Sequence, residues 1–478
     1  MIAREPRDEA TSRPRLGVVL SNGWSIKNLL HSGALSRLAE SFDLVAWAPE
    51  KELEGLRAMA PRFGVPDLRW EPFLVFREGA AHQLVRQVQR TVFYAHHDVA
   101  TERIRSQSSR SSRTAIQRSA TRVADLLGRS PAGSAVLSMA NPLRRRLGYR
   151  AFYAEAFDRH RPTHLLTGNP VDFREDPFVY EARRRGVPVA TMVASWDNLT
   201  SKGFMCRGFD RILTWNEFMR AEVHRYYPDY RPEQTASVGI PRFDVYAKPL
   251  PAGFAREPFL RALGLDPARP MILYANTATR LIPEQPQVIA HLADAIASGE
   301  LRRDLQVLVR CHPRDPLEPY QALGDRPGVA VWHPSLDKGD IYGWLPDADH
   351  LWVLAAMIKH SAVTINPCST MTLDAAMCDR PVASIAYDGD ATKPYHDSIA
   401  SAYDYNHVGP VVRSGATPLC RSRSDLIGAV AAYLDDPGLH RAERRALVNE
   451  LCLADRGPAC QRLGAELERW AGLVGTPR

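Results

Sequence analysis

Two stretches decide the fold: residues 305–315, LQVLVRCHPRD, and residues 362–376, AVTINPCSTMTLDAA. In the first, apolar Leu305 to Val309 run into Arg310, His312 and Arg314. In the second, apolar Ala362 to Ile365 run into Asn366, Ser369, Thr370 and then Asp374. Each reads as a buried parallel strand that ends in a polar turn and opens a helix. Ligands of open α/β sheets bind at those carboxyl ends. One junction offers cations and a histidine. The other offers hydroxyls at a helix start, where free N–H groups favour an anion. Together they suit a nucleotide diphosphate.

Working outward, strands alternate with helical stretches along the chain, the mark of βαβ units. The first half predicts strands at 16–20, 42–48, 164–167, 187–193, 211–214 and 236–239. A Pro-rich linker covers 248–267. The second half predicts strands at 271–275, 305–309, 329–332, 362–366 and 382–386. The expected fold is α/β: two Rossmann-like domains with parallel sheets facing a cleft. Residues 1–248 form the first, 249–437 the second, and 438–478 a helix packing back across the first. A hinge between two such domains predicts a ligand cleft.

The chain has 478 residues, 45% of them hydrophobic, and a net charge of +7. No apolar run approaches the roughly 20 residues of a membrane span. The charged N-terminus, MIAREPRDEATSRPR, lacks the apolar stretch of a signal peptide. Seven cysteines without a CxxC pair fit a reduced, cytoplasmic protein without structural zinc. Residues 84–150 carry 13 arginines against Asp98, Glu102 and Asp125, a net +10, which leaves the rest of the chain at −3. This helical segment either meets an anionic surface, such as the inner face of a membrane or a phosphate-bearing acceptor, or is a solvated face. No aromatic interleaving accompanies the arginines, which argues against nucleic acid.

His312 precedes a proline that fixes its own φ and restricts its neighbour, so the ring is presented rigidly. It is a candidate to stabilise a departing diphosphate, with Arg310 and Arg314 beside it; otherwise it is a satisfied turn histidine. Ser369 and Thr370 are helix caps or phosphate holders. Asp374, a turn further on, is a ribose ligand or a plain helix acid. Asn276, Thr277 and Arg280 follow the 271–275 strand toward the cleft. Asp388-Gly-Asp390 follows the 382–386 strand and reads as sugar binding or turn chemistry rather than a metal site. In the first half, Trp196, Asp197, Asn198 and Lys202 follow the 187–193 strand. Trp196 is placed to stack on a sugar. Asp197 is a candidate general base or a turn former. The turn Ser21-Asn22-Gly23 lines the acceptor side, and His31 beyond it is a second base or a helix-surface residue. Cys311 and Cys368 read as packing residues rather than nucleophiles.

The VRCHPRD junction, the NPCSTMTLDAA junction followed by PVASIAYDG, the SWDNLTSKG loop and GIPRFD together resemble GT-B glycosyltransferases over nearly the whole chain. The likeness is nearest to bacterial surface-polysaccharide transferases and CDP-glycerol glycerophosphotransferases. It implies a nucleotide-sugar donor held on the second domain and a glycan or lipid-linked acceptor on the first, with no cofactor or metal needed for catalysis. Asp374 stands where many such enzymes have glutamate. A CDP-glycerol-type glycerophosphotransferase, a nucleotide-sugar 2-epimerase-like isomerase and a non-catalytic membrane-associated scaffold are the competing readings.

Overall fold

A computed structural model describes residues 13–108, 115–149, 152–313, 315–334 and 345–474. Arg314 and part of the Ser/Arg-rich stretch 106–113 lie outside these described residues. Among them, 13 strands form two wholly parallel sheets. The first holds β1 (Arg15–Val19), β2 (Asp43–Pro49), β3 (Arg69–Phe73), β4 (His164–Thr167), β5 (Val189–Met192), β6 (Arg211–Thr214) and β7 (Thr235–Ser237), in the order β3-β2-β1-β4-β5-β6-β7. The second holds β8 (Met271–Ala275), β9 (Gln306–Arg310), β10 (Val329–Trp332), β11 (Ser361–Asn366), β12 (Val382–Ile385) and β13 (Leu419–Cys420), in the order β10-β9-β8-β11-β12-β13.

The central strands are buried on both faces because helices cover both, so they read as continuous apolar runs. Two strands escaped the sequence reading. β3, RWEPF, carries charges and Pro72; it sits at the sheet edge, where a missing donor is tolerated. β13 has only two residues. The stretch read as a linker holds the Arg256–Ala262 helix, with Pro258 in its first turn.

The segment 438–478 is two helices rather than one. Arg441–Cys452 packs on the second domain's Met371–Met377 and Gly409–Ser414 helices. Ala459–Trp470 returns to the first domain and packs on the Ala34–Ala39 helix. Asp244, in the GIPRFD segment, caps that return by accepting from Ala459 N at 2.7 Å and Cys460 N at 2.9 Å.

Residues 80–148 form an insertion between β3 and β4. The helix Ala80–His96 packs against Ala115–Arg129 and Ala132–Gly148. Ala100–Gln107 leads from it toward the second domain, where Thr101 donates through its backbone N to Asn406 Oδ1 at 3.0 Å.

Candidate functional site

Both sheets reverse their winding beside their first strand. β1 lies between β2 and β4, and β8 lies between β9 and β11. A crevice opens at the carboxyl ends of strands at such a switch point. The chain leaves β1 through Ser21-Asn22, β4 through Gly168-Asn169, β8 through Asn276-Thr277 and β11 through Asn366 to Thr370. Close approach demands glycine at 168, where a Cβ would stand 2.5 Å from Ser25 Cβ. A cavity of about 480 Å³ lies where the two crevices meet, and Asn22, Asn169, Thr277, Ser369 and Thr370 all line it.

On the second-domain side, His312 and Arg280 also line the cavity. The turn after β11 is held by Asn366, whose Oδ1 accepts from Ser369 N at 3.1 Å and Thr372 Oγ1 at 3.3 Å. Within it Cys368 adopts φ +43°, a conformation a side chain disfavours. Such strain persists only where surroundings fix it: here Cys368 N donates to Tyr403 OH at 3.0 Å. Burial pushes the thiols of Cys311 and Cys368 up to about 12, so neither is a thiolate nucleophile at neutral pH.

On the first-domain side, Trp196, Asp197, Asn198 and Lys202 line the cavity. Asn198 Oδ1 closes the turn by accepting from Ser195 N at 2.8 Å. Burial alone would raise the Asp197 carboxyl. The Lys202 ammonium at 3.0 Å and the hydroxyls of Ser195 and Ser201, the latter at 2.8 Å, outweigh it and hold the group well below the usual carboxylate range. A carboxylate stabilised this far is a weak proton acceptor. His407, which sequence reasoning missed, faces the same cavity. Burial lowers it to about 4 despite Asp197, so the imidazole is neutral at physiological pH. One ring nitrogen contacts Thr200 Oγ1 at 3.2 Å, and the ring lies 5.3 Å from that of Trp196.

The wall beyond them comes from the arginine-rich insertion. Arg86, Arg90, Arg105 and Arg144 line the cavity. The Arg86 guanidinium lies 4.2 Å over the Phe173 ring, and Arg144 pairs with Asp176 at 2.7 Å. Arg105, from the first domain, lowers the pKa of Arg280 across the cavity, second to the effect of burial. Six cationic and three acidic side chains line the space. Arg86, Arg90, Arg144 and Lys202 are paired with Glu78, Glu102, Asp176 and Asp197, and the small excess of positive charge that remains suits an anionic occupant.

Several expected residues lie elsewhere. Asp374 is 1% exposed and accepts from Arg242 Nη1 at 2.9 Å and from the Tyr246 hydroxyl. Its carboxylate is engaged across the domain seam instead of facing the cavity. Arg310 is buried in the same seam; burial lowers its pKa, with Asp374 and Tyr246 as opposing neighbours. Asn276 is buried, and among the described residues neither polar atom of its side chain has a partner. Asp388 serves the turn reading, since its Oδ1 accepts from Ile399 N at 3.0 Å. Gly23 is buried in the Gly23–Ile26 helix, and Asn22 caps that helix by accepting from Trp24 N at 3.0 Å. His31 is neither a cavity base nor a surface residue. It is buried, stacked on Phe63 at 4.6 Å, and lowered to about 3 by burial and Lys27.

No protein-family model matches this chain, and no curated protein does. Solved structures do. A Listeria monocytogenes protein assigned as UDP-N-acetylglucosamine 2-epimerase superposes with a TM-score of 0.58 at 12% identity, covering 98% of this chain and 99% of its own. The Neisseria meningitidis UDP-GlcNAc 2-epimerase, solved with UDP-GlcNAc, gives 0.55 at 8% identity over 95% and 100%. MnaA of S. aureus, solved with UDP, gives 0.55 at 10% identity over 97% and 99%. The chain has a GT-B fold.

Within a GT-B frame the unread residues make sense. Asn169, Asp172 and Asp176 follow β4, so the carboxyl-end rule applied to that strand would have found them. His407 sits in the single 3-10 turn Asn406–Val408 between β12 and β13, too short for periodicity to mark it.

Proposed function

We propose that this protein is a glycosyltransferase that moves a sugar from a nucleotide donor to a hydroxyl of a glycan, on a lipid-linked carrier at a membrane surface. The observation that carries this reading is the arginine wall facing His312, Ser369 and Thr370 across one cavity. A donor alone needs one anion-binding side. A second cationic side leaves room for an acceptor bearing phosphate or carboxylate.

In this mechanism Thr277, Arg280, Ser369 and Thr370 hold the diphosphate, with Arg314 as a further candidate. His312 donates to a phosphoryl oxygen as the sugar–phosphate bond breaks. His407, a weak base at about 4, takes the proton of the acceptor hydroxyl only late, as the hydroxyl oxygen bonds to the anomeric carbon and its proton becomes acidic. Asp197, held ionised by Lys202, favours the imidazolium that forms. Trp196 stacks on a sugar ring. UDP is the first donor nucleotide to test, because two neighbours of this fold were solved with UDP or UDP-GlcNAc.

A 2-epimerase is the second reading, favoured by the names of those neighbours. It needs no acceptor. Thermal-shift measurements with UDP, CDP, CMP, GDP and TDP test for a donor site, since a ligand of the native state raises its stability. Incubation of the protein with the matching nucleotide sugar alone then separates the readings. Epimer formation without acceptor overturns the transferase, and acceptor-dependent nucleotide release supports it. No shift with any nucleotide removes both.

A further inference from the structure

We infer that a second cavity, between the first domain's Glu217–Tyr226 helix and residues 403–413 of the second, binds a small organic anion that carries a ring. Its volume is about 500 Å³, and of the residues lining it Tyr405 alone also lines the main cavity. The observation that points to a ligand is Glu222. Its side chain lines this cavity and is buried, yet Oε2 has no hydrogen-bond partner among the described residues. A buried polar atom is costly until something completes its hydrogen bonding. Burial raises the carboxyl to about 8 against the opposing pull of Arg225, so it keeps its proton at pH 7. A protonated carboxyl donates, and an anionic oxygen is the strongest acceptor it can meet.

The neighbours of Glu222 select the same class. Arg225 comes from the first domain and Arg413 from the second, and among the described residues neither has an ion pair. Asp404, the other acid lining the space, already accepts from the Tyr395 hydroxyl. Thr101 donates to Asn406 Oδ1 from its backbone N at 3.0 Å and its hydroxyl at 3.1 Å, which leaves Asn406 Nδ2 for an occupant. Phe218, Tyr226, Tyr405 and Val412 supply an apolar wall. The Arg225 guanidinium lies 5.4 Å from the centre of the Tyr226 ring, so charge and aromatic surface stand side by side. Inorganic phosphate would use the donors and leave the wall in water. A ring bearing a carboxylate or a phosphate uses both. The site stands apart from the transferase reading and does not rest on it.

The test is calorimetric titration of the full chain with phenyl phosphate, benzoate and inorganic phosphate. The tighter of the two ring-bearing probes is expected to bind about tenfold or more tightly than inorganic phosphate, from burial of its ring. Arg225→Ala with Arg413→Ala is expected to weaken that probe by about tenfold or more, through loss of charged hydrogen bonds. Both positions are exposed, so circular dichroism and Tm without ligand stay as in the wild type. Glu222→Gln keeps a donor and holds the affinity within about threefold, whereas Glu222→Leu lowers it by about tenfold. Arg280→Ala, which alters the main cavity, leaves it unchanged. Absence of binding by both ring-bearing probes overturns the proposal, as does equal binding by the wild type and the double arginine variant. Loss of binding in Arg280→Ala also overturns it, by placing the anion in the main cavity. Inorganic phosphate that binds as tightly as either ring-bearing probe overturns the ligand class.

Discussion

Asp374→Asn separates a structural carboxylate from a ligand-binding one. Asp374 lies at the domain seam among Arg242, which donates to it at 2.9 Å, and the nearby Lys27 and Arg310. Lys27 is lowered to about 7, by burial first and then Arg242, with Asp374 opposing. Removing one member of a buried ion pair costs about 3–5 kcal/mol. Asparagine keeps the shape and an acceptor for Tyr246, so the lower end, about 3 kcal/mol, applies. For domains of this size each kcal/mol moves Tm by about 2–4 °C, which gives a drop of about 6–12 °C at pH 7. The pH dependence follows. In the wild type Lys27 is protonated below about pH 7 and gains from Asp374; above that it is neutral. The gap between wild type and variant therefore narrows as pH rises from 6 to 9. Calorimetric scans at both pH values read it. A Tm within about 2 °C of wild type, well inside the drop expected here, together with weakened nucleotide binding, would refute the reasoning and return Asp374 to the ligand.

His312→Ala is expected to lower turnover by about 10²–10³, the range for one lost transition-state donor, with Tm unchanged; full activity removes His312 from the mechanism. His407 resists protonation down to about 4 in the fold but takes a proton near 6.5 when unfolded. Stability is therefore lost as pH falls through that window, by about 2 kcal/mol at pH 5, and urea titrations should show His407→Gln losing less between pH 7 and 5. Glu222, 6% exposed and raised to about 8 by burial, is neutral in the fold at pH 7 and ionised when unfolded. Glu222→Gln should therefore stabilise by about 1–3 kcal/mol at pH 7 and by little at pH 4; a destabilised variant at pH 7 contradicts this.

The strands buried on both faces were legible because burial writes itself as an apolar run, as in Leu305 to Val309. β3 and β13 were not, because an edge position tolerates proline and charge and a two-residue strand has no period. At the site, residues leaving β1, β5, β8 and β11 were found by one rule about strand ends. That rule names a position in sequence but not a direction in space. Asp374 and Arg310 satisfy it and still turn to the seam, drawn by Arg242 and Tyr246 from a distant part of the chain. The arginines of the insertion showed their number and not their division, some lining the cavity and others facing outward.

The return of the Ala459–Trp470 helix bears on synthesis. The first sheet is complete at Ser237, yet the helix that packs on Ala34–Ala39 follows on the order of 200 residues later. At ~5–20 residues per second, the nascent first domain waits roughly 10–40 s with that groove uncovered. Leu463 and Leu467, fully buried, end the wait, and Arg37 then closes on Glu468 at 2.8 Å. The first domain is therefore finished only once the Ala459–Trp470 helix has left the ribosome. A stop codon just before residue 459 would be felt first at the opposite end of the chain, as exposed apolar surface on its earliest helices.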